Sequence, residues 1–346
     1  MNKTIINIPI FLILILGFAG CDSDKSVDPV ETYDYANIIN SYSDNVIIAT
    51  YADLETNTSA MQTACEIFAN NPTQENLNAA ANAWYAARVP WELSEAFLFG
   101  PVAFLSIDPS MDSWPVDETQ LESVLSSSFE ITPDFVRNGL GYSLRGFHTL
   151  EYFLFTNGDY RDFSTITERG RAYITSVATV LAEDAAHVHD QWVSGYGAEF
   201  KNAGKSGSRY SSVNQAVQEI VDGIITIVDE VGNGKISEPF VTKNVNTVES
   251  QYSWNSVTDF SNNIIGVKNA YLGGTGVGIN EYIKSKNSQL NDRVLTEIED
   301  AITKINSMPE PFRNNLNANV EIQAAIDACN TLLATFINDV KPLLSN

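Results

Sequence analysis

The sequence is short of cations, of histidine and of cysteine, and the shortages exclude several classes of protein. Its 346 residues carry 20 Lys and Arg against 43 Asp and Glu, a formal net charge of −23, and only three histidines. Nucleic-acid binding needs a basic surface that releases counterions, so this balance excludes nucleic acid as the main partner. Three cysteines without Cys-x-x-Cys spacing exclude a disulfide scaffold and a structural zinc site.

The remaining composition is that of a folded chain. Hydrophobic residues make up 44% and aromatic residues 10%, which excludes disorder over most of the length. Charged residues are only 18%, so Asn, Ser and Thr must supply much of the polar surface. The length fits one large domain or two ordinary ones.

The first residues predict export and a lipid anchor. Lys3 precedes an apolar run at residues 5–16, which fits a signal-peptide core and is too short for a spanning helix of about 20 residues. Phe18-Ala19-Gly20-Cys21 resembles the cleavage box of bacterial lipoproteins, which implies a signal peptide at residues 1–20 and a diacylglyceryl group on Cys21. Ordinary secretion, with Cys21 just after the cut, is the alternative.

Polar residues 21–32 are typical of a tether that holds a folded domain away from a membrane. Their acidic start resembles the surface-export signal of some Gram-negative lipoproteins. Several acyl chains anchor a protein stably. We therefore expect the membrane as a partner, on the periplasmic or the cell-surface side of the outer membrane.

From residue 33 onward apolar residues recur at helical spacing, and no hairpin with alternating flanks is recognisable. After a break at Asn71-Pro72, Thr73 is suited to cap a helix that runs through Leu77 to Trp91. Further helices are predicted at residues 165–193, 213–231, 289–307 and 319–340. We therefore predict an all-α protein of two helical bundles packed together, with domains at residues 33–160 and 161–346.

Two segments lack the helical pattern, and two cysteines lie within it. Residues 99–118 carry three prolines and predict a long loop, and glycine-rich residues 272–280 predict a connection between helices. Cys65 and Cys329 lie among apolar residues at helical spacing, which favours buried free thiols. An oxidising compartment also allows a disulfide between them.

His148 and Glu151 are the strongest candidates for chemistry. Residues three apart share a helix face, and the neighbours of this pair are almost all apolar. A buried imidazole and carboxylate are costly unless they pair or bind a metal, so a structural core pair and a metal site are both open. Upstream, Arg88 and Glu95 are two helical turns apart and face one site if the helix continues through Pro90.

Four motifs, in order along the chain, resemble the imelysin (insulin-cleaving membrane protease) family. They are the stretch at residues 88–101, Asp112-Ser113-Trp114-Pro115, the Gly-x-His-x-x-Glu element at residues 146–151, and the stretch at residues 249–263. The resemblance implies an all-helical, two-domain fold with the site near the junction of the halves. It also implies a bacterial envelope protein linked to iron uptake or iron regulation, in a family classed with metallopeptidases.

A metal at this site needs more ligands than one histidine and one glutamate. The sequence has no His-Glu-x-x-His, and His187 and His189 diverge on a helix, so carboxylates must complete the set. The predicted metal ligands are His148, Glu151, Glu95 and Asp112. Nitrogen and oxygen ligands of this kind suit iron, zinc or manganese. The matched motifs supply six supporting residues: Gly146, Trp91, Ser94, Trp114, Ser253 and Asp259.

Three functions agree with these residues. The first is an envelope lipoprotein that captures iron, zinc or an iron-bearing ligand at His148 and Glu151. The second is a metal-dependent peptidase, in which Glu151 or Glu95 is the general base and Arg88 steadies the oxyanion. The third is a non-catalytic interaction module whose motif residues only join the bundles. We rank binding above catalysis, because the peptidase classification goes beyond the chemistry that the residues support.

The lipid anchor gives the first testable prediction. Cys21→Ser removes the sulfur that carries the diacylglyceryl group, so the variant should remain unprocessed or become soluble instead of membrane-bound. Detergent-phase partitioning of the expressed protein measures the change. Partitioning that is the same with and without the substitution would refute the anchor.

Overall fold

The structure, a computed structural model, describes residues 34–344 and is built from helices. The predicted signal peptide, Cys21 and the predicted tether lie outside the described residues. The α-helices, numbered in chain order, are α1 Ala36–Ser41, α2 Ala49–Asn70, α3 Gln74–Ser94, α4 Pro101–Phe104, α5 Ile107–Asp112, α6 Glu118–Ser126, α7 Phe147–Leu154, α8 Glu168–Gln191, α9 Gly197–Lys201, α10 Val213–Asp229, α11 Ser237–Thr242, α12 Ser256–Leu272, α13 Ile279–Lys286, α14 Ser288–Asn306, α15 Asn319–Thr335 and α16 Lys341–Leu344.

Shorter elements extend or connect these helices. Turns of π-helix lie at Tyr42–Ile48, Phe135–Gly139, Trp192–Tyr196, Glu230–Ile236 and Phe336–Val340. Turns of 3-10 helix lie at Glu95–Phe97, Tyr142–Leu144, Phe163–Thr165, Val245–Thr247 and Phe312–Asn314. Strands β1 (Phe155–Thr156) and β2 (Asp159–Tyr160) form an antiparallel pair with Phe155 opposite Tyr160. The prediction of no strands misses this hairpin, because two residues a side are too few to show alternation.

Helices α2, α3, α7 and α8 form the first bundle. Two of them begin at a capping residue: the Thr73 side chain accepts a hydrogen bond from the amide of Asn76 at α3, and Thr167 accepts one from the amide of Gly170 at α8. The buried face of α2 carries Tyr51, Leu54, Met61, Cys65 and Phe68. Although α8 follows the predicted domain boundary at residue 160, it packs along α2. The boundary itself stays a prediction.

Helices α10, α12, α14 and α15 form the second bundle. Apolar residues three and four apart line the inner faces of α10 and α14. Cys329 of α15 is buried and free, as is Cys65 of α2, so the prediction of two buried free thiols is confirmed. The helical run Asn319–Leu344 is long and apolar enough to cross a membrane, but core helices pass the same test, and α15 packs on α10 and α14.

The all-α prediction is confirmed, and four predicted helices correspond to α8, α10, α14 and α15. The long loop predicted at residues 99–118 is wrong, because α4 and α5 form there. Pro101 stands at the first position of α4, where its missing N–H costs no hydrogen bond. The glycine-rich connection predicted at residues 272–280 is confirmed, since α12 ends and α13 begins within it.

The two bundles meet along α3. This helix continues through Pro90, and α12 of the second bundle packs beside it. A Cβ added to Gly266 of α12 would lie 2.5 Å from the carbonyl oxygen of Leu93, and Gly223 of α10 approaches the carbonyl of Ala96 in the same way. Glycine at these two positions lets both helices approach the backbone at the end of α3.

This close approach predicts the effect of one added methyl group. Gly266→Ala should lower the free energy of unfolding by about 1–3 kcal/mol, because α12 must move away from α3. Gly195→Ala is the matched control: Gly195 is an exposed helical residue with nothing near its Cβ position, so its change should be neutral or slightly stabilising. Urea unfolding measures both variants. Equal stabilities would contradict the close contact.

Candidate functional site

Ten polar side chains from both bundles meet in the interior beside the end of α3. Each is at most 5% exposed. We call them the buried cluster: Arg88, Glu92, Glu95, Asp112, His148, Glu151, Lys235, Glu249, Asp259 and Asn263. Six are carboxylic acids and three are bases. If all the acids ionised, they would exceed the cations by three even with the imidazole charged, and burial makes such an excess expensive.

Arg88 is the hub of the cluster and is fully buried. Its guanidinium contacts Glu92 and Asp112, lies 2.9 Å from Glu249 Oε1 and lies 3.4 Å from Asp259 Oδ2. Burial lowers the pKa of Arg88, but its carboxylate partners, Asp112 first, outweigh burial and raise that pKa above its usual value. Arg88 is therefore a permanent cation.

His148 is held at the start of α7, between two carboxylates. Its Nδ1 lies 3.0 Å from Oε2 of Glu151, and its Nε2 lies 3.1 Å from Oδ1 of Asp112 and 3.8 Å from Oε1 of Glu249. Nε2 is buried and has no hydrogen-bond partner of good geometry. Burial lowers the pKa of His148, but the Asp112 carboxylate and the neighbouring acids outweigh burial and raise that pKa well above 6.5.

The backbone before His148 requires glycine. Gly146 precedes α7 with φ +89°, and any Cβ there would overlap the backbone carbonyl of Met111. This contact places the start of α7 against the end of α5, which carries Asp112. The predicted supporting role of Gly146 has this physical basis.

Glu151 connects His148 to the segment of residues 249–255. Its Oε1 accepts hydrogen bonds from the amides of Tyr252 (2.9 Å) and Ser253 (2.7 Å) and from the Ser253 hydroxyl (2.7 Å). Ser250 and Trp254 in this segment have left-handed backbones, with φ 51° and 62°, which non-glycine residues adopt at a cost. Both oxygens of Glu151 thus have protein partners, and its role as a metal ligand stays a prediction.

Lys235 is the second permanent cation of the cluster. It lies on the π-helical turn Glu230–Ile236 and is fully buried, with Nζ 2.8 Å from Oε2 of Glu95 and 3.2 and 3.0 Å from the two oxygens of Glu249. Burial lowers the pKa of Lys235, but Glu249 and Glu95 outweigh burial and raise it above its usual value.

Four acids of the cluster divide into two groups by the direction of their pKa shifts. Burial raises the pKa of Asp112 and of Glu249, but nearby cations, Arg88 for Asp112 and Lys235 for Glu249, lower both below their usual values. Burial raises the pKa of Glu95 well above its usual value and that of Asp259 to about 6, although Lys235 and Arg88 oppose the change. Burial therefore favours the neutral forms of Glu95 and Asp259, which would lessen the excess of negative charge.

The structure brings most of the predicted site residues together. The Trp91 indole N–H donates to Oδ2 of Asp112 at 2.7 Å, and the ring of Trp114 lies 6.0 Å from that of His148. Ser94 is the exception, since its hydroxyl donates to the backbone carbonyl of Trp91. Glu95 contacts Lys235 and Asn263 rather than His148.

Five residues at the site are absent from the predicted set: Glu92, Lys235, Glu249, Ser250 and Asn263. Two features of the sequence could have revealed four of them. Glu92 is one helical turn after Arg88, and the other three, Glu249, Ser250 and Asn263, lie within the fourth motif. Lys235 has no such signal, because nothing in Gly232-Asn233-Gly234-Lys235 indicates a buried ammonium.

The donor set fits a divalent metal ion. Atoms of Asp112, His148 and Glu249 lie within 4.8 Å of one another, as do carboxylate oxygens of Glu92, Glu95, Asp112 and Glu249. Glu151 holds Nδ1 of His148 and leaves Nε2 directed at Asp112 and Glu249. A carboxylate behind a ligating histidine is the usual support of a metal site.

Fold and site together define a class of protein. Its members are helical, consist of two bundles, and bury a cluster of histidine, carboxylate and guanidinium groups between the bundles. The sequence model of the imelysin family matches residues 47–336, and the chain belongs to this family. The resemblance inferred from the four motifs is therefore confirmed.

Named relatives cover nearly the whole chain. Iron-regulated protein A of Synechococcus elongatus is 27% identical in an alignment of 340 positions that covers 94% of this chain and 90% of that protein. The crystal structure of a protein described as an iron-regulated protein A precursor, from Parabacteroides distasonis, is 32% identical with a TM-score of 0.82, covering 89% of this chain and 94% of its own. An imelysin-like protein from Psychrobacter arcticum shares the fold at 16% identity, with a TM-score of 0.73 over the same shares.

The partners of Glu151 predict a large effect on metal-free protein. Glu151→Ala leaves two amides, a hydroxyl and His148 without their acceptor and should cost about 3–5 kcal/mol of unfolding free energy. Glu151→Gln keeps one acceptor oxygen and should cost less.

Glu122→Ala is the control for these two variants. Glu122 is an exposed carboxylate that accepts the Tyr152 hydroxyl, so its removal should change stability by no more than about 0.5 kcal/mol. Urea unfolding in the presence of a chelator measures all three. A Glu151→Ala protein as stable as Glu122→Ala would mean that the 249–255 segment does not depend on Glu151.

Proposed function

We propose that this chain is an envelope protein that binds a divalent metal ion, iron or zinc, at His148 and serves iron uptake. One observation carries the proposal: the buried Nε2 of His148 faces Asp112 and Glu249 without a hydrogen-bond partner. A metal ion satisfies such a nitrogen and also offsets the excess of carboxylates around it.

His148, Asp112 and Glu249 would hold the ion. Ligands of one zinc ion, each about 2.1 Å from it, lie about 3–4 Å apart, and the ligand atoms here lie within 4.8 Å of one another. One imidazole and two carboxylates suit iron and zinc, and a bound ion would supply the positive charge that the cluster lacks. In this proposal Glu249 is the third ligand, while the predicted ligands Glu95 and Glu151 contact Lys235 and the 249–255 segment.

The relatives support the iron in this proposal. The Synechococcus and Parabacteroides proteins carry the name iron-regulated protein A, and each alignment covers about nine-tenths of both chains. The proposed lipid at Cys21 would keep a metal-binding domain at the envelope, where imported metal ions first meet the cell.

A peptidase is the weaker alternative. Hydrolysis at a metal requires the scissile carbonyl of a peptide to reach the ion. His148 is 2% exposed and Asp112 3% exposed, and neither offers a peptide such access. The Arg88 guanidinium is surrounded by carboxylates, and Glu151 is held by the 249–255 segment. In an interaction module without metal, His148 would only pair with Asp112 and Glu151, and the convergence of further carboxylates on its Nε2 would have no role.

Elemental analysis of native-purified protein tests the proposal. Wild type should carry about one iron or zinc per chain, and His148→Ala should carry none, because a third of the ligand set is lost. His189→Ala is the matched control, since His189 also pairs with a glutamate, Glu55, at 2.5 Å but lies near the surface. Metal loss in both variants, or in neither, would refute a site at His148.

A peptide-cleavage assay then separates binding from catalysis. The loaded wild type should release no more product from an unfolded protein substrate than His148→Ala does. Cleavage by wild type that disappears in both His148→Ala and Glu151→Gln would instead establish the peptidase.

A further inference from the structure

Lys235 occupies a position that suits a metal ion. Its Nζ lies 2.8 Å from Glu95, 3.0 and 3.2 Å from the two oxygens of Glu249, and 3.7 Å from Glu92. Three carboxylates thus converge on one cation, two from the end of α3 and the turn that continues it, and one from the segment before α12. Asn263 donates to Glu92 and Glu95 at 2.6 and 2.8 Å, which fixes the direction of both carboxylates.

The cluster contains two adjacent cation positions that share ligands. One is bounded by His148, Asp112 and Glu249, and the other by Glu92, Glu95, Asp112 and Glu249. Two positions with two common carboxylates resemble the layout of centres in which two metal ions lie about 3.5–4 Å apart.

Two observations beyond the acidic residues mark these positions. The chain's own ammonium group, on the fully buried Lys235, lies among the acids of the second position. The buried Nε2 of His148, without a hydrogen-bond partner, points towards the acids of the first.

We propose that the ammonium of Lys235 is a tethered substitute for a second metal ion, so that the cluster accepts one metal beside it. The proposal rests on the proposed function for the metal at His148, whereas the role of Lys235 itself does not depend on that metal. A single positive charge on a fixed stem satisfies three carboxylates without leaving the protein, and the stem fills the space that an ion and its water would need. Lys235 thus sets the stoichiometry of the centre.

Metal titration of three proteins tests the role of Lys235, with Mn²⁺ as the probe because it prefers oxygen ligands. Lys235→Ala removes the charge and opens space, so it should bind one Mn²⁺ per chain more than wild type. Lys235→Met removes the same charge but fills the space with an apolar stem of similar length, so it should bind the same number as wild type. Native mass spectrometry gives the numbers, and the exchange coupling between two neighbouring Mn²⁺ ions gives a distinct electron paramagnetic resonance signal in Lys235→Ala.

The outcomes separate this proposal from the function proposed above. Wild type with one ion and Lys235→Ala with two supports both. Wild type with none and Lys235→Ala with one supports the role of Lys235 alone, and the elemental analysis for iron and zinc then decides whether a metal binds at His148. Equal numbers in wild type and Lys235→Ala, two ions in wild type, or an extra ion in Lys235→Met would overturn the role of Lys235. So would a Lys235→Ala protein that stays unfolded with Mn²⁺, because the ion should replace the missing charge.

Discussion

Six carboxylic acids buried around two permanent cations are the constraint on which the rest of the structure depends. Charges of this kind are expensive to bury, and an unpaired one costs several kcal/mol. The molecule meets the constraint in three ways: Arg88 and Lys235 pair with most of the acids, burial favours the neutral forms of Glu95 and Asp259, and the acids around His148 favour its protonated form. The last of these is the one that a metal ion would replace, because proton and metal use the same nitrogen.

The constraint explains why so much local structure is unusual near the site. Gly146 has a positive φ where α7 meets the end of α5, and Ser250 and Trp254 have left-handed backbones where two amides turn towards Glu151. The left-handed conformations of Ser250 and Trp254 cost energy, whereas glycine adopts the positive φ at position 146 readily. The hydrogen bonds that the amides of Tyr252 and Ser253 donate to Glu151 offset this cost.

The sequence revealed the fold more fully than the site, for physical reasons. Helical periodicity is local, so α8, α10, α14 and α15 could be predicted from spacing, and Thr73 from its capping chemistry. Arg88, Asp112 and His148 could be selected because each stands out in its motif. Lys235 could not, because its burial results from the packing of both bundles around the cluster, and no pattern within a single helix encodes that arrangement. The sequence also did not predict which carboxylates lie on each side of His148. Glu151 accepts hydrogen bonds from the 249–255 segment, and Glu249 rather than Glu95 lies 3.8 Å from Nε2 of His148.

The position of the cluster connects metal binding to the stability of the whole fold. Asp112 and His148 come from segments that pack with the first bundle, Glu249 precedes α12 of the second, and Gly266 brings α12 onto α3 beside them. A ligand that binds only the folded chain stabilises it by about 2.7 kcal/mol at a hundred times its dissociation constant. An ion held by His148, Asp112 and Glu249 would therefore strengthen the junction itself, since those ligands are neighbours only when both bundles are in place. The metal-free protein keeps the junction through Arg88 and Lys235, which cross the same boundary with fixed charges. The cations of the chain thus hold the site together without a metal, and this accounts for a cluster that is closed and fully packed around carboxylates that could also hold an ion.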